Sequence, residues 1–197
     1  IYGRPNLLDD INKHFEQIAP ITLLYRDTAP DKNHVTKTLR EFYFNNGEIN
    51  NFTRAQLTAM FTDGICLAPT NDVVLLHLKY THQPIYYYIF AYRGTASYTT
   101  ASDPDYDYGV DHGNELLYLF VLRNDFPNYV PNETDRRVAK VMTTLWTNFA
   151  KTGNPTPADD SHFSEKWYPV QSENLEFYLI KNDKDMKMTE KTVLGKN

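Results

Sequence analysis

A chain of 197 residues with 41% hydrophobic and 23% charged side chains is long enough to bury roughly 70% of its extended-state surface, so its length does not suggest a small stapled module. Its formal charge of -5, with Lys and Arg scattered along the sequence, argues against a nucleic-acid surface, and no apolar run nears the roughly 18 residues that would read as a bilayer span. The single cysteine, Cys66, excludes an internal disulfide framework and a Cys-based zinc site.

The start, Ile1-Tyr2-Gly3-Arg4-Pro5, is neither an initiator Met nor a signal peptide, and we expect it to lie mid-protein. Two sequons, at Asn51 and Asn132, tilt the reading toward a secreted glycoprotein while leaving a cytoplasmic location open. A heavy aromatic load, 15 Tyr and 11 Phe, favours strands and lined pockets.

Asn6 before Leu7-Leu8-Asp9-Asp10 has the pattern of an N-cap with acids in the first turn, and Leu8, Ile11, Phe15 and Ile18 recur at helical spacing up to a stop near Pro20. Thr28-Ala29-Pro30-Asp31 opens a second helix, with Val35, Leu39 and Phe42 or Tyr43 on its apolar face and Asn46-Gly47 as its stop. Asn51 or Thr53 caps a third, carrying Leu57, Met60 and Phe61 up to Gly64. After Pro69, Thr70 caps a fourth in which Val73, Val74, Leu76, His77 and Tyr80 form one broad apolar face.

The run from Pro84 to Tyr92 is continuously aromatic and aliphatic, too short for a typical helix, and reads as a central strand buried on both faces in the manner of parallel sheets. Arg93 to Asp111 is a long polar loop, a length usually reserved for function. Thr134 caps a helix striped by Val138, Val141, Met142, Leu145, Trp146 and Phe149 and stopped by Gly153. A loop from Asn154 to Lys166, an anchor Trp167-Tyr168-Pro169-Val170 and a second strand from Leu175 to Ile180 follow. This order indicates an α/β sheet protein without an internal domain boundary. Two strands are fewer than a parallel sheet usually has, so their edges are expected to find neighbours outside the chain.

The loop delivers His112, flanked by Gly113 and followed by the apolar run Leu116-Leu117-Tyr118-Leu119-Phe120. Such a His suits a general base, one nitrogen facing a nucleophile and the other donating to a buried carboxylate. Asp111 is a poor choice for that carboxylate, because adjacent side chains in extended or turn geometry diverge. Glu115 has the spacing of a first-turn cap, which is compatible with a supporting role toward His112.

Asp103, Asp105, Asp107, Asp111 and Glu115 imitate a calcium loop but fail in register, with Tyr108 where the sharp turn needs Gly and Pro104 stiffening the second position. His77 and His82 are five apart, not a zinc pair at i, i+4, and His14, His34 and His162 have no partner at metal spacing. No metal site is expected. Tyr98, Met60 and Phe61 are the candidates for pocket lining. No nucleotide loop and no G-x-S-x-G serine elbow occurs.

At Gly109-Val110-Asp111-His112-Gly113-Asn114-Glu115-Leu116-Leu117-Tyr118-Leu119-Phe120 the chain resembles the catalytic-His region of the carboxylesterase/cholinesterase family of α/β-hydrolases, especially insect carboxylesterases and juvenile-hormone-esterase-like enzymes. Trp146-Thr147-Asn148-Phe149-Ala150-Lys151-Thr152-Gly153-Asn154-Pro155, Trp167-Tyr168-Pro169, Leu175-Glu176-Phe177, Phe61-Thr62-Asp63 and Gln83-Pro84-Ile85-Tyr86-Tyr87-Tyr88 follow the family in order.

The resemblance implies that residues 1–197 are the C-terminal portion of one α/β-hydrolase domain, with a mostly parallel central sheet flanked by helices. It implies a serine carboxylesterase, with His112 as one member of a Ser-His-Glu/Asp triad, the nucleophile and acid in an N-terminal part outside this chain, and no cofactor. Glu115 would support His112, Asp63 would be a structural acid, and small lipophilic esters such as hormones, odorants or insecticides would be the substrates. Cys66 lies near a position that cholinesterase-like members bridge to a C-terminal Cys, which leaves a free thiol and a bridge beyond Asn197 both open. The alternative is a non-catalytic adhesion or binding module on the same fold.

Overall fold

A computed structural model of the chain describes residues 6–103, 105–158, 163 and 165–189. Pro104 and His162 lie outside them. The described residues divide into two compact units, residues 6–73 and residues 74–189.

The first unit begins with α1 (Leu7–Lys13) and α2 (Phe15–Thr22), separated at His14, where φ is -115°. Asn6 does precede α1, but in the left-handed region and with no side-chain cap bond. Pro20 lies inside α2 and does not stop it: its missing N–H costs one helical bond, yet the turn persists through Leu23 N donating to Ala19 O at 2.9 Å and Thr22 Oγ1 donating to Ile18 O at 3.0 Å.

Helix α3 (Lys32–Phe44) is capped by Asp31, whose carboxylate accepts from His34 N at 2.9 Å, and ends on Asn45 and Asn46 at positive φ. Asn50, one residue before the expected cap, closes a capping box over the 3-10 turn Asn51–Thr53 that leads into α4 (Arg54–Phe61). Gly64 does not end this region. A π turn, Thr62–Leu67, carries the helix through it into α5 (Ala68–Tyr80). A Cβ on Gly64 would press on Leu23 Cδ2, so the glycine serves close packing rather than termination. The core gathers Ile11, Phe15, Ala19, Phe44, Ile49, Leu57 and Met60, with Arg40 over the Phe15 ring and its Nη2 donating to Asn12 Oδ1 at 2.6 Å.

Pro69 and Thr70 lie within the first turn of α5, so Thr70 is not its cap. The expected apolar face of this helix is corrected too: Val74 is buried, while Val73 and Tyr80 are 52% and 71% exposed.

In the second unit, β1 (Tyr88–Phe90), β2 (Phe177–Ile180) and β3 (Met186–Thr189) form a sheet in that order. β1 runs parallel to β2, with Ile89 opposite Leu179, and β3 runs antiparallel, with Leu179 opposite Lys187. The sheet is therefore mixed. The aromatic run from Pro84 contributes a short strand at the edge of the described sheet, and β2 is the central strand. β2 begins two residues later than expected because Leu175 turns at φ 53°.

Side chains of β2 alternate between two cores. Tyr178 and Ile180 face a cluster with Val138, Met142 and Leu145 of α7 (Glu133–Thr152), where Trp167 stacks on Tyr178 at 5.2 Å. Phe177 joins Val74, Tyr87, Val170 and Leu175 in the other. α7 is capped by Asn132 and not by Thr134: Asn132 Oδ1 accepts from Asp135 N at 2.8 Å, and Asp135 Oδ2 accepts from Asn132 N at 2.9 Å. It ends as expected on Gly153, at φ 72°.

Candidate active site

The segment leaving β1 passes over α7 before it reaches the His112 turn. Its first fixed point is Asp135, 1% exposed, whose carboxylate accepts from Tyr92 Oη at 2.9 Å, Thr95 Oγ1 at 2.7 Å and the Asn132 amide. Burial alone would raise this carboxyl, but the hydrogen bonds outweigh it and hold Asp135 below the usual carboxylate range. The same burial, together with Asp135, pushes the Tyr92 phenol up. The Tyr118 ring packs 5.4 Å from that of Tyr92, and a Cβ on Gly94 would collide with the Tyr118 hydroxyl and the Asp135 carboxylate. Gly94 is therefore required for close approach.

Within the expected loop lies a short helix, α6 (Tyr98–Ser102), capped by Ser97 Oγ, which accepts from Thr100 N at 3.2 Å. The acidic stretch that follows binds its own neighbours. Asp103 accepts from Tyr108 Oη at 2.7 Å, and Asp107 accepts from Arg93 Nε and Gly109 N, both at 2.9 Å. The Arg93 guanidinium first, and then the Gly109 amide, lower the Asp107 carboxyl. Asp111 is held by Thr99, accepting from its N–H and its Oγ1, each at 2.8 Å. Among the described residues no group of three ligand side chains could hold a metal ion.

His112 itself is exposed, on a turn whose flanking glycines take positive φ, 85° at Gly109 and 81° at Gly113. Both angles disfavour a side chain. Asn114, 0% exposed, donates through Nδ2 to Ala96 O at 3.4 Å and starts the 3-10 turn Asn114–Tyr118, which sinks Leu117 and Tyr118 into the core. Glu115 in that turn is half-buried. Burial and then the Glu115 charge push the Tyr88 phenol up to about 12, and burial first, then Asp125 and Glu115, raise Tyr98. Tyr98 packs edge-on against Phe126 at 4.7 Å.

The structure thus brings His112, Asp111, Asn114, Glu115 and Tyr98 into one region of the second unit. Met60 and Phe61 belong to the first unit, Met60 fully within its core and Phe61 partly buried against it. Asp63 there is buried and accepts from Tyr43 Oη at 2.7 Å. Cys66 is half-buried and has no disulfide partner among the described residues. The sequons at Asn51 and Asn132 both lie on exposed asparagines.

Asp135 and Asn114 went unread in the sequence. The spacing Asn132-x-x-Asp135 is a capping-box signal that would have found the first; nothing local marks the second.

The chain belongs to the carboxylesterase family, whose sequence profile matches residues 1–194. The family's fold is the α/β-hydrolase, of which the described helices and three-stranded mixed sheet are a part. Esterase E4 of Myzus persicae is 33% identical over 179 residues, 88% of this chain and 31% of that protein. The juvenile hormone esterase of Tribolium castaneum is 28% identical over 203 residues, 98% and 34%. Human neuroligin-2 is 38% identical over 116 residues, 56% and 13%. The chain spans about a third of the length of the esterases it matches. Among the described residues no helix is long and apolar enough to cross a membrane.

Proposed function

We propose that the polypeptide to which this chain belongs hydrolyses carboxylic esters through an acyl-enzyme, with His112 as the general base. His112 would take a proton from a serine as it attacks the ester carbonyl, give it to the leaving alcohol, and then activate the water that releases the acid. The serine and the carboxylate that orients the imidazole belong to an N-terminal part of the same α/β-hydrolase domain, outside residues 1–197. One observation carries the reading: His112 is an exposed imidazole on a turn with glycines at positive φ on both sides, while the adjacent Asp111 is already occupied by Thr99.

Esterase-named relatives spanning 88% to 98% of the chain favour this reading. Glu115 supports the site through its charge near Tyr88 and Tyr98. Tyr98 remains a candidate for lining a pocket for small lipophilic esters in the second unit, as do Met60 and Phe61 within the first. The exposure of Asn51 and Asn132 favours a secreted, glycosylated protein. The second reading, a non-catalytic adhesion or binding module on the same fold, draws on the similarity to neuroligin-2.

A fluorophosphonate probe separates the two. The intact polypeptide is expected to be labelled at one serine upstream of Ile1. Absence of labelling in folded protein would reject the serine esterase in favour of the binding module.

A further inference from the structure

The backbone on both sides of His112 is fastened to the same short stretch upstream. Before it, both carboxylate oxygens of Asp111 accept from Thr99, Oδ2 from the N–H and Oδ1 from Oγ1, each at 2.8 Å. The Thr99 amide lies in the first turn of α6, where N–H groups point out of the helix end and a carboxylate is a favourable acceptor. After it, Asn114 donates through Nδ2 to Ala96 O at 3.4 Å. Asn114 N also donates to Asp111 O at 3.1 Å, closing the turn that holds His112 at its centre.

Residues 96 and 99 thus hold residues 114 and 111, and the backbone of His112 is pinned between them. Asp111 itself is only half exposed, so these bonds are partly shielded from water.

From this geometry, and resting on the reading of His112 as the base, we infer that Asp111 is a positioning residue: it clamps the His112 turn to α6 and so sets where the imidazole stands. Its carboxylate faces Thr99 and holds the peptide that precedes His112. The segment between the two clamp points, residues 99 to 111, closes into a loop at this bond, so the position of His112 depends on the foot of that loop rather than on β1 directly. Displacement of a catalytic group by about 1 Å costs on the order of 100-fold in rate. That sets the scale of the effect expected when the clamp opens.

The test uses the intact polypeptide and a p-nitrophenyl ester, with kcat expressed per site titrated by fluorophosphonate so that unfolded protein does not count. Asp111→Ala is expected to lower kcat by about 10- to 100-fold with KM changed less than about 3-fold, and to speed amide exchange at residues 97–100. Asp111→Asn, which keeps an acceptor for Thr99, is expected to restore kcat to within about 5-fold of the wild type.

If Asn and Ala variants lose activity equally and by about 10⁴-fold, Asp111 is the acid that orients the imidazole, and the clamp is overturned. Unchanged kcat in the Ala variant, where His112→Ala shows that turnover depends on His112, also overturns it, whatever the exchange result. Should that variant fail to accumulate, Thr99→Val removes one of the two donors and carries the same test, with a kcat loss of about 3- to 10-fold expected and no loss overturning the clamp. A His112→Ala variant with wild-type turnover removes the base assignment instead, and the exchange measurement then still reads whether the clamp holds.

Discussion

Asp135 is a carboxylate in an almost water-free position, and donors that include Tyr92, Thr95 and Asn132 keep it charged there. Because its folded-state pKa is lowered, the stabilisation it contributes is complete above the ordinary carboxylate value of about 3.9 and is lost as pH falls through the folded-state value. Asp135→Asn should therefore lower stability near neutral pH by about 1–3 kcal/mol. It should also flatten the acid limb of the unfolding free energy, measured by urea titration as pH falls below about 4. Parallel curves for variant and wild type would contradict the assignment.

Gly94 makes a second demand at this scale, since a methyl group there meets Tyr118 and Asp135. Gly94→Ala is expected to cost about 1–3 kcal/mol, read as a lowered Tm. An unchanged Tm would mean that the close approach is not maintained.

At the scale of elements, α7 supports the site: its buried side chains pack with those of β2, and its N-terminal capping box supplies Asp135. Leu145→Ala, at a fully buried position, should cost about 2–5 kcal/mol, whereas Thr143→Ala on the exposed side should stay within about 0.5 kcal/mol. Similar losses in denaturant titrations of the two variants would contradict this packing.

α7 was legible in the sequence because a long apolar stripe and a terminal glycine leave few alternatives, and α3 was legible for the same reason. Pro20 and Gly64 misled for different reasons: local bonds four residues apart on either side of Pro20 carry the helix past it, and Gly64 makes room for Leu23. β3 carries only four residues of Met-Lys alternation, too short a pattern to stand out, and α6 is a single turn whose helicity depends on Ser97 and Asp111 rather than on apolar spacing.

For the molecule as a whole, the family was legible because several ordered motifs converge, from Phe61-Thr62-Asp63 to Leu175-Glu176-Phe177, and the profile match over residues 1–194 agrees. His112 was legible as a candidate through its glycines. What holds the turn was not, since the bonds from Asp111 to Thr99 and from Asn114 to Ala96 join residues 12 and 18 positions apart, and no local pattern records such a pairing. The sheet was only half legible, for its parallel pair could be anticipated from the aromatic run and its antiparallel strand could not.

The assignment of His112 as the base is tested most directly by ester turnover of the intact polypeptide carrying His112→Ala, compared with wild type per mole of folded protein. Loss of a triad base predicts a fall in kcat/KM of at least about 10³-fold with the unfolding midpoint unchanged, because the side chain is exposed. Turnover within about tenfold of the wild type would contradict it.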